Sequence, residues 1–286
     1  MITAAVYALL LATTPGQPQG NAPQQEELPA NLRRDYVQMA DSADWYIARE
    51  MWVDAKRCTV DALRRDPPNF NNALLLSNLG IINTHLGDVE EAVSNYTLGL
   101  SIAPASTTLR ANRARAYLSL GQYGEAQDDL AAILEAAPDD DWARKMYGVT
   151  CLAQGNSKEA LAQFRKIEQP DADTLRMMAQ IAAGNNDTDY ARTLYDRLVE
   201  TSPSDESYFD RALFLISTEE YQLAGDDIRE GLKLSPRNGD LLLLRAYIHS
   251  VMHESDMAEM DKKLAAEYGA DTKLFNTLFP TPRKRK

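Results

Sequence analysis

Apolar residues recur along this chain at the spacing of amphipathic helices, and these helices come in pairs. In residues 73–106, Leu79 and Ile82 belong to a first helical stretch, which Gly87 then interrupts. A second helical stretch follows, and Pro104 ends it because proline cannot continue a helix. The pattern predicts a unit of two antiparallel helices joined by a short turn.

This unit repeats along the chain in a nearly constant phase. Alanine recurs at positions 92, 126 and 160, in two successive steps of 34 residues. The full series is Ala55, Ala92, Ala126, Ala160, Ala191, Ala224 and Ala258. Small residues precede these alanines by 12 positions, at Ala43, Gly80, Ala114, Gly148, Ala179, Ala212 and Ala246. The period predicts an all-α solenoid of about seven units, and no alternating pattern predicts a sheet.

The repeated residues resemble the pattern of the tetratricopeptide repeat (TPR) family. The match is strongest in the units 73–106 and 107–140, and in the second of these Ala114, Tyr117 and Pro138 all fit. The resemblance covers most of the chain. It implies a right-handed superhelix of helix-turn-helix units, in which the first helices line a concave groove that binds other proteins.

The units divide the chain into three parts. We expect a leader and linker over residues 1–31, the repeat array over 36–272 and a basic tail over 273–286. The units lie near 36–69, 73–106, 107–140, 141–171, 172–204, 205–238 and 239–272. The widest irregularity is expected at 67–72, because the step between alanines is longest there and the sequence PPNFNN is typical of a turn.

Three departures from the family pattern are informative. Asn83 and His249 occupy positions where a large apolar residue is usual. Lys262 lies where Tyr96 and Phe164 lie in their own units. A lysine there predicts that the last helix faces water, as a terminal cap does, and argues against end-to-end stacking.

Two charged pairs test the predicted crossing of the helices. Arg113 precedes Asp129 by 16 residues, and Arg211 precedes Asp227 by the same interval. In each pair the arginine comes directly before the small residue of the first helix, and the aspartate lies on the second helix. We therefore expect a salt bridge within each unit; the alternative is two solvated surface charges.

The charge of the chain limits its partners. The net charge is −12, which argues against nucleic acid as the main partner. The basic residues Arg283–Lys286 are the exception. They are either a solvated end, a docking site for an acidic surface or a nuclear-type signal. We expect 281–286, and the Pro- and Gln-rich segment 13–31, to make few contacts with the array.

The N-terminal segment has its own pattern. Ala4–Ala12 is an apolar run of nine residues, far shorter than the roughly 20 residues that span a membrane. We therefore expect no membrane span. The run fits the apolar part of a secretory signal peptide, although neither lysine nor arginine precedes it. We expect an exported, periplasmic protein; the alternative is a cytoplasmic protein with a loosely helical leader.

No set of residues predicts an active site. Cys58 and Cys151 lie on helices three units apart, too far for a disulfide, and are expected to be packing residues. His249 and His253 are four residues apart with Glu254 beside them, but two histidines without a third ligand do not predict a metal site. We therefore expect no catalytic residue, no cofactor and no metal.

The concave face that the resemblance implies is the candidate binding surface. Asn78 and Asn112 hold the same place in adjacent units and can bond the main chain of an extended peptide. The candidate site comprises Asn78, Asn112, Arg115, Trp142, Lys145, Met146, Arg176 and Met177. Its three cations favour an acidic ligand, and its Trp and Met side chains offer adaptable apolar surface. The alternative is a set of ordinary solvated residues, since every solenoid has a concave side.

The function that the sequence favours is a monomeric, non-enzymatic scaffold that holds a peptide or protein in its groove. One subclass of the family grips a C-terminal carboxylate with Lys, Asn and Arg on consecutive first helices. Ala40 and Asp44 stand where the matching Lys and Asn are needed, so that kind of receptor is not expected. The alternative is an assembly subunit that acts through its ends or its convex face. An enzyme is not expected, because no long segment lies outside the repeats.

Overall fold

A computed structural model describes residues 30–66 and 69–278. Over these residues the chain forms fourteen helices in seven antiparallel pairs, then one short helix, and it contains no strand. The pairs are α1 (Ala30–Ile47) with α2 (Trp52–Arg65), α3 (Asn72–Leu86) with α4 (Val89–Ile102), α5 (Thr107–Ser119) with α6 (Tyr123–Ala136), α7 (Asp141–Ala153) with α8 (Ser157–Phe164), α9 (Ala172–Gly184) with α10 (Thr188–Thr201), α11 (Asp205–Ser217) with α12 (Tyr221–Leu234), and α13 (Gly239–Val251) with α14 (Ser255–Glu267), before the short helix α15 (Thr272–Leu278). The predicted all-α solenoid is confirmed.

Each pair crosses where a small residue of the first helix meets the second helix. A Cβ atom on Gly80 would lie only 2.3 Å from ring carbon Cε1 of Tyr96. A Cβ atom on Gly148 would likewise lie 2.3 Å from ring carbon Cε1 of Phe164. On the second helix, the repeated alanine is buried completely, as at Ala92. The small residues that repeat in the sequence therefore set the distance between the two helices.

The residues before the helices explain where the helices begin. In the last five units, a side chain just before the first helix accepts a hydrogen bond from a backbone N–H of the first turn. These capping residues are Ser106, Asp140, Asp171, Ser204 and Asn238. In every pair, the residue two positions before the second helix has a positive φ. These turn residues are Glu50, Gly87, Gly121, Gly155, Asn186, Glu219 and His253.

Both predicted salt bridges are present, and a third has the same geometry. The pairs are Arg113–Asp129, Arg211–Asp227 and Arg245–Asp261, with Nε–Oδ2 distances of 2.7, 2.8 and 2.8 Å. In each pair a second guanidinium nitrogen bonds the other carboxylate oxygen. All three aspartates are buried, so each bridge fixes a first helix to its second helix. The sequence analysis missed the third pair although its spacing is the same.

The fourth unit departs from the predicted bounds. Its second helix, α8, ends at Phe164, seven residues before the predicted end of the unit at 171. The connection 165–171 that follows has seven residues, one more than the segment 66–71 between α2 and α3. The irregularity expected at 67–72 stays a prediction, because residues 67 and 68 lie outside the described residues. The step from the alanine of this unit to the next is only 31 residues, and the last helical turn is missing. Ile167 is buried within the connection instead.

The first helix extends past its predicted start. Helix α1 begins at Ala30, inside the expected leader and linker, because no residue between Pro29 and Tyr36 breaks a helix. The apolar run Ala4–Ala12 and the tail residues 281–286 lie outside the described residues. No described helix is both long and apolar enough to cross a membrane.

The array also extends past its predicted end. Helix α15 follows the seventh pair, and Phe275 packs against the buried residues Leu242 and Leu243. Helix α15 therefore covers part of α13, whereas most of α14 faces water, as Lys262 had predicted. Two large apolar side chains of α14 remain exposed, Met257 at 50% and Met260 at 62%.

The buried side chains form clusters of unequal size. The largest runs from Cys151 to Ile248 and joins the fourth to the seventh unit. Three smaller clusters each join two neighbouring units nearer the N-terminus. Cys58 and Cys151 are both buried and unpaired with each other, as predicted. The C-terminal half of the array therefore has the more continuous core.

Candidate functional site

The first helices of successive units lie side by side and form one face, called here the inner face. Helix α3 contacts α5, and α11 contacts α13. Polar side chains join the units along this face: Asn78 Nδ2 donates to Asp44 Oδ1 at 3.1 Å, and Asn112 Nδ2 lies 3.5 Å from Ser77 Oγ. The two asparagines therefore link neighbouring units. Because an amide has two N–H groups and an acceptor oxygen, each can also bond a ligand.

Arg115 and Trp142 form the centre of the predicted site. The guanidinium carbon of Arg115 lies 4.5 Å from the ring centroid of Trp142, and Arg115 Nη1 lies 3.4 Å from Asn112 Oδ1. Arg115 is exposed, whereas Trp142 and Met146 are half-buried and pack against the core of the third and fourth units. The structure thus places a cation, an indole and an amide together on the inner face.

The other two predicted cations already have partners. Lys145 Nζ lies 2.7 Å from Asp171 Oδ2 and 3.6 Å from Asp173 Oδ2. Arg176 bonds three carboxylates, those of Asp210, Asp173 and Glu206, at 2.5, 3.1 and 3.3 Å. The cationic band that favoured an acidic ligand is therefore largely neutralised by the chain itself. The signal was present in the sequence as aspartate and glutamate near the start of each of these helices.

Burial and hydrogen bonds shift the pKa values of Asp210 and Asp171 in opposite directions. Burial raises the pKa of Asp210, and the hydrogen bond from Arg176 only partly opposes this effect. At Asp171, burial also acts to raise the pKa, but the hydrogen bonds from Lys145 and Thr174 outweigh it and lower the pKa. Asp210 thus bonds Arg176, whereas Asp171 bonds Lys145.

A shallow cleft opens between α9, α11 and α13. Its volume is about 210 Å³, and it is lined by Arg176, Glu206, Phe209, Asp210, Asn238 and Asp240. Met177, the last residue of the predicted site, is half-buried nearby on α9 and packs against the largest cluster. The sequence analysis did not predict this cleft.

The histidines of the last unit do not share a helical face. Helix α13 ends at Val251, so His253 lies in the following turn, with φ at 65°. His249 Nδ1 lies 2.5 Å from Glu254 Oε2, and Nε2 lies 3.7 Å from Asp261 Oδ2. No group of three or more potential metal ligands occurs among the described residues. His249 therefore takes the place of an apolar residue by pairing with carboxylates.

Stacked helix pairs whose first helices line one continuous face define an α-solenoid repeat protein. Comparison with known families identifies the repeat. Residues 112–173 and 176–248 match the family model of the tetratricopeptide repeat. Residues 112–173 and 176–248 are therefore tetratricopeptide repeats.

Known proteins support this assignment over different lengths. Small glutamine-rich tetratricopeptide repeat-containing protein 2 of Saccharomyces cerevisiae is 30% identical over 86 residues, which are 30% of this chain and 25% of that protein. A tetratricopeptide repeat protein from Parabacteroides merdae has the same fold, with a TM-score of 0.63, 24% identity and coverage of 86% of this chain and 98% of that one. YrrB, described as a TPR protein with an unusual peptide-binding site, has a TM-score of 0.52 at 16% identity, with 64% of this chain and 95% of that one covered.

Proposed function

We propose that this protein is a non-enzymatic scaffold whose inner face binds an extended segment of another protein. The observation that carries the proposal is the continuous row of Asn78, Asn112, Arg115 and Trp142 across three units. Amides that repeat from unit to unit can bond a peptide main chain, and the indole with its stacked guanidinium can hold a side chain. A peptide-binding site in YrrB, which shares the fold, supports the same use of the repeat.

A peptide selection tests this proposal directly. A library of displayed random peptides is selected on the intact chain, and the enriched peptides are measured by isothermal titration calorimetry. In the double variant Arg115→Ala/Trp142→Ala, we expect at least about a tenfold loss of affinity, because Arg and Trp side chains often dominate recognition. Circular dichroism of the variant should match that of the parent chain.

A variant on the other helix of a pair provides the matched control. Arg229→Ala also removes an exposed arginine, from the second helix α12, where Arg229 pairs with Asp226 of the same helix. Its affinity for the selected peptides should equal that of the parent. If the two variants bind equally well, the inner face is not the site, and the proposal is wrong.

An assembly subunit remains the second candidate, and one observation favours it. Met257 and Met260 expose apolar surface on α14, at the end of the array where Lys262 had predicted a polar cap. Light scattering separates the candidates. We expect the mass of a monomer, about 31.9 kDa. A dimer that dissociates in Met257→Lys/Met260→Lys would instead support assembly through this end.

We also propose that the protein is exported. The apolar run Ala4–Ala12 supports this, because its length and composition suit the apolar part of a signal peptide. N-terminal sequencing of the protein from its native cells, together with fractionation, tests the idea. An intact N-terminus on protein recovered from the cytoplasm would contradict it.

A further inference from the structure

The second residue of the first helix is acidic in three successive units. Asp173, Glu206 and Asp240 hold this position in α9, α11 and α13. All three are exposed, with Asp173 and Glu206 side chains at 68% and 77%. They form a row that crosses three units, called here the acidic edge. Two of these residues, Glu206 and Asp240, also line the cleft.

The cations near the acidic edge do not balance its charge. Arg176 bonds Asp173 and Glu206 but also the half-buried Asp210. Lys145 is shared between Asp173 and the capping residue Asp171. Arg237, just before α13, lies over the ring of Tyr268, with 5.9 Å from its guanidinium carbon to the ring centroid. Counting these groups, carboxylates outnumber cations on this part of the face.

An apolar floor lies beside the acidic edge. Met177, Phe209, Leu213 and Tyr247, from the same three first helices, are half-buried and pack against the largest cluster. Their inner sides are fixed by the core, and the rest of each side chain is accessible to solvent. Charge and apolar surface therefore occur side by side, as a ligand with both kinds of side chain requires.

We propose that the acidic edge binds an extended segment of a partner protein in which Lys or Arg recurs at every third residue. Packed helices lie about 8–10 Å apart, so we infer that the same position recurs at roughly that interval on neighbouring first helices. An extended chain advances about 3.3 Å per residue, and three residues cover the same distance. Cations at i, i+3 and i+6 match Asp173, Glu206 and Asp240, and apolar residues between them meet the floor. This inference rests on the proposed use of the inner face but assigns its C-terminal half a basic ligand.

The basic tail of the chain itself, Arg283–Lys286, is the competing occupant. Its four cations are consecutive, so they cannot align one by one with carboxylates that repeat once per unit. Charge complementarity alone would allow the tail to bind, whereas the spacing of the acidic edge favours a segment with separated cations. The experiment therefore includes a variant in which these four residues are serine.

Three synthetic peptides of nine residues test the proposal. One carries Lys at positions 1, 4 and 7 with Leu and Ser between them, one has the same composition with the three Lys adjacent, and one carries Glu in place of Lys. Binding of fluorescent peptides to the full chain is measured by anisotropy. We expect the spaced peptide to bind at least about tenfold more tightly than the adjacent one, with no binding of the Glu peptide. Its affinity should fall as salt is added.

Variants locate the site. Glu206→Gln/Asp240→Asn removes two charges of the acidic edge with little change of shape, and the spaced peptide should bind it at least about tenfold more weakly. Asp226→Asn/Glu230→Gln makes the same changes on the second helix α12 and should have no effect. Equal binding of the spaced and adjacent peptides, or equal binding to both double variants, would overturn the proposal.

Two further results complete the test. If the serine variant of the tail binds the spaced peptide at least tenfold more tightly than the parent, the tail is the occupant, and the partner proposal is wrong. If the spaced peptide fails while selected peptides still depend on Arg115 and Trp142, the basic ligand is wrong but the scaffold function stands. Loss of both would reject the scaffold function as well.

Discussion

At the scale of single residues, the turns within the pairs combine one backbone geometry with several residue types. A positive φ recurs two positions before every second helix, yet only three of these residues are glycine. Gly87, Gly121 and Gly155 were visible in the sequence as helix ends. Glu50 and Glu219 could not be recognised in the sequence, because glutamate does not favour a left-handed conformation. The packing of the two helices can impose this conformation on them.

Glu219→Gly should stabilise the protein. The left-handed conformation of Glu219 costs roughly 1–2 kcal/mol, and part of this gain is offset because glycine is more flexible in the unfolded chain. We expect a net increase in the free energy of unfolding of up to about 1 kcal/mol, measured by urea denaturation. Gly121→Ala is the reverse control: a Cβ there meets no atom within 4 Å, so its expected destabilisation is conformational. No increase for Glu219→Gly would show that the turn is not strained.

Two buried tyrosines should make the protein sensitive to alkali. Burial raises the pKa of Tyr36 and of Tyr195 to about 12, and nearby Asp66 and Asp210 respectively add to the effect. The folded state thus holds these protons more tightly than the unfolded state, in which the pKa is about 10. Stability is full below that pH and is lost as the pH rises towards 12. Tyr195→Phe should flatten the fall in urea midpoint between pH of about 10 and 12; an unchanged slope would contradict the assignment.

At the scale of helices, the sequence predicted which elements form better than it predicted where they end. The crossing residues and the Arg–Asp pairs follow from spacing alone, because the crossing of two helices brings the same positions together in every unit. The early end of α8 and the helix α15 depend on how one unit meets the next. No local pattern at Phe164 or after Thr272 carries that information. The pairing of Lys145 and Arg176 with carboxylates was missed although the acidic residues were visible in the sequence, because most of these partners belong to the next unit.

Gly148→Ala should destabilise the fourth pair. The added Cβ would lie 2.3 Å from Phe164 Cε1, so the ring or the helices must move. Overpacking of this kind costs about 1–3 kcal/mol, more than the helix propensity that alanine adds. Gly225→Ala is the matched control, because a Cβ at that helical glycine meets no atom within 4 Å and should stabilise α12. Urea denaturation of both variants should give shifts of opposite sign.

At the scale of the whole molecule, the repeat phase was sufficient to predict an array of about seven pairs. The binding surface was less predictable, since a list of inner-face residues does not tell which charges are already paired. Arg115 and Trp142, both predicted to belong to the site, are in contact. The positive charges of Lys145 and Arg176, by contrast, are neutralised by Asp171, Asp173 and Asp210. The charge preference of the face became apparent only when partners from neighbouring units could be named.

The unequal buried clusters imply that the array opens in stages. The continuous cluster from Cys151 to Ile248 should protect its backbone amides from hydrogen exchange for longest, whereas the small clusters of the first units should open earlier. Exchange followed by mass spectrometry should therefore show faster labelling in 36–106 than in 172–251. Asn78 belongs to the part that opens early. A ligand that binds Asn78 should therefore slow hydrogen exchange most in that part, so ligand binding would be coupled to the local folding of the first units.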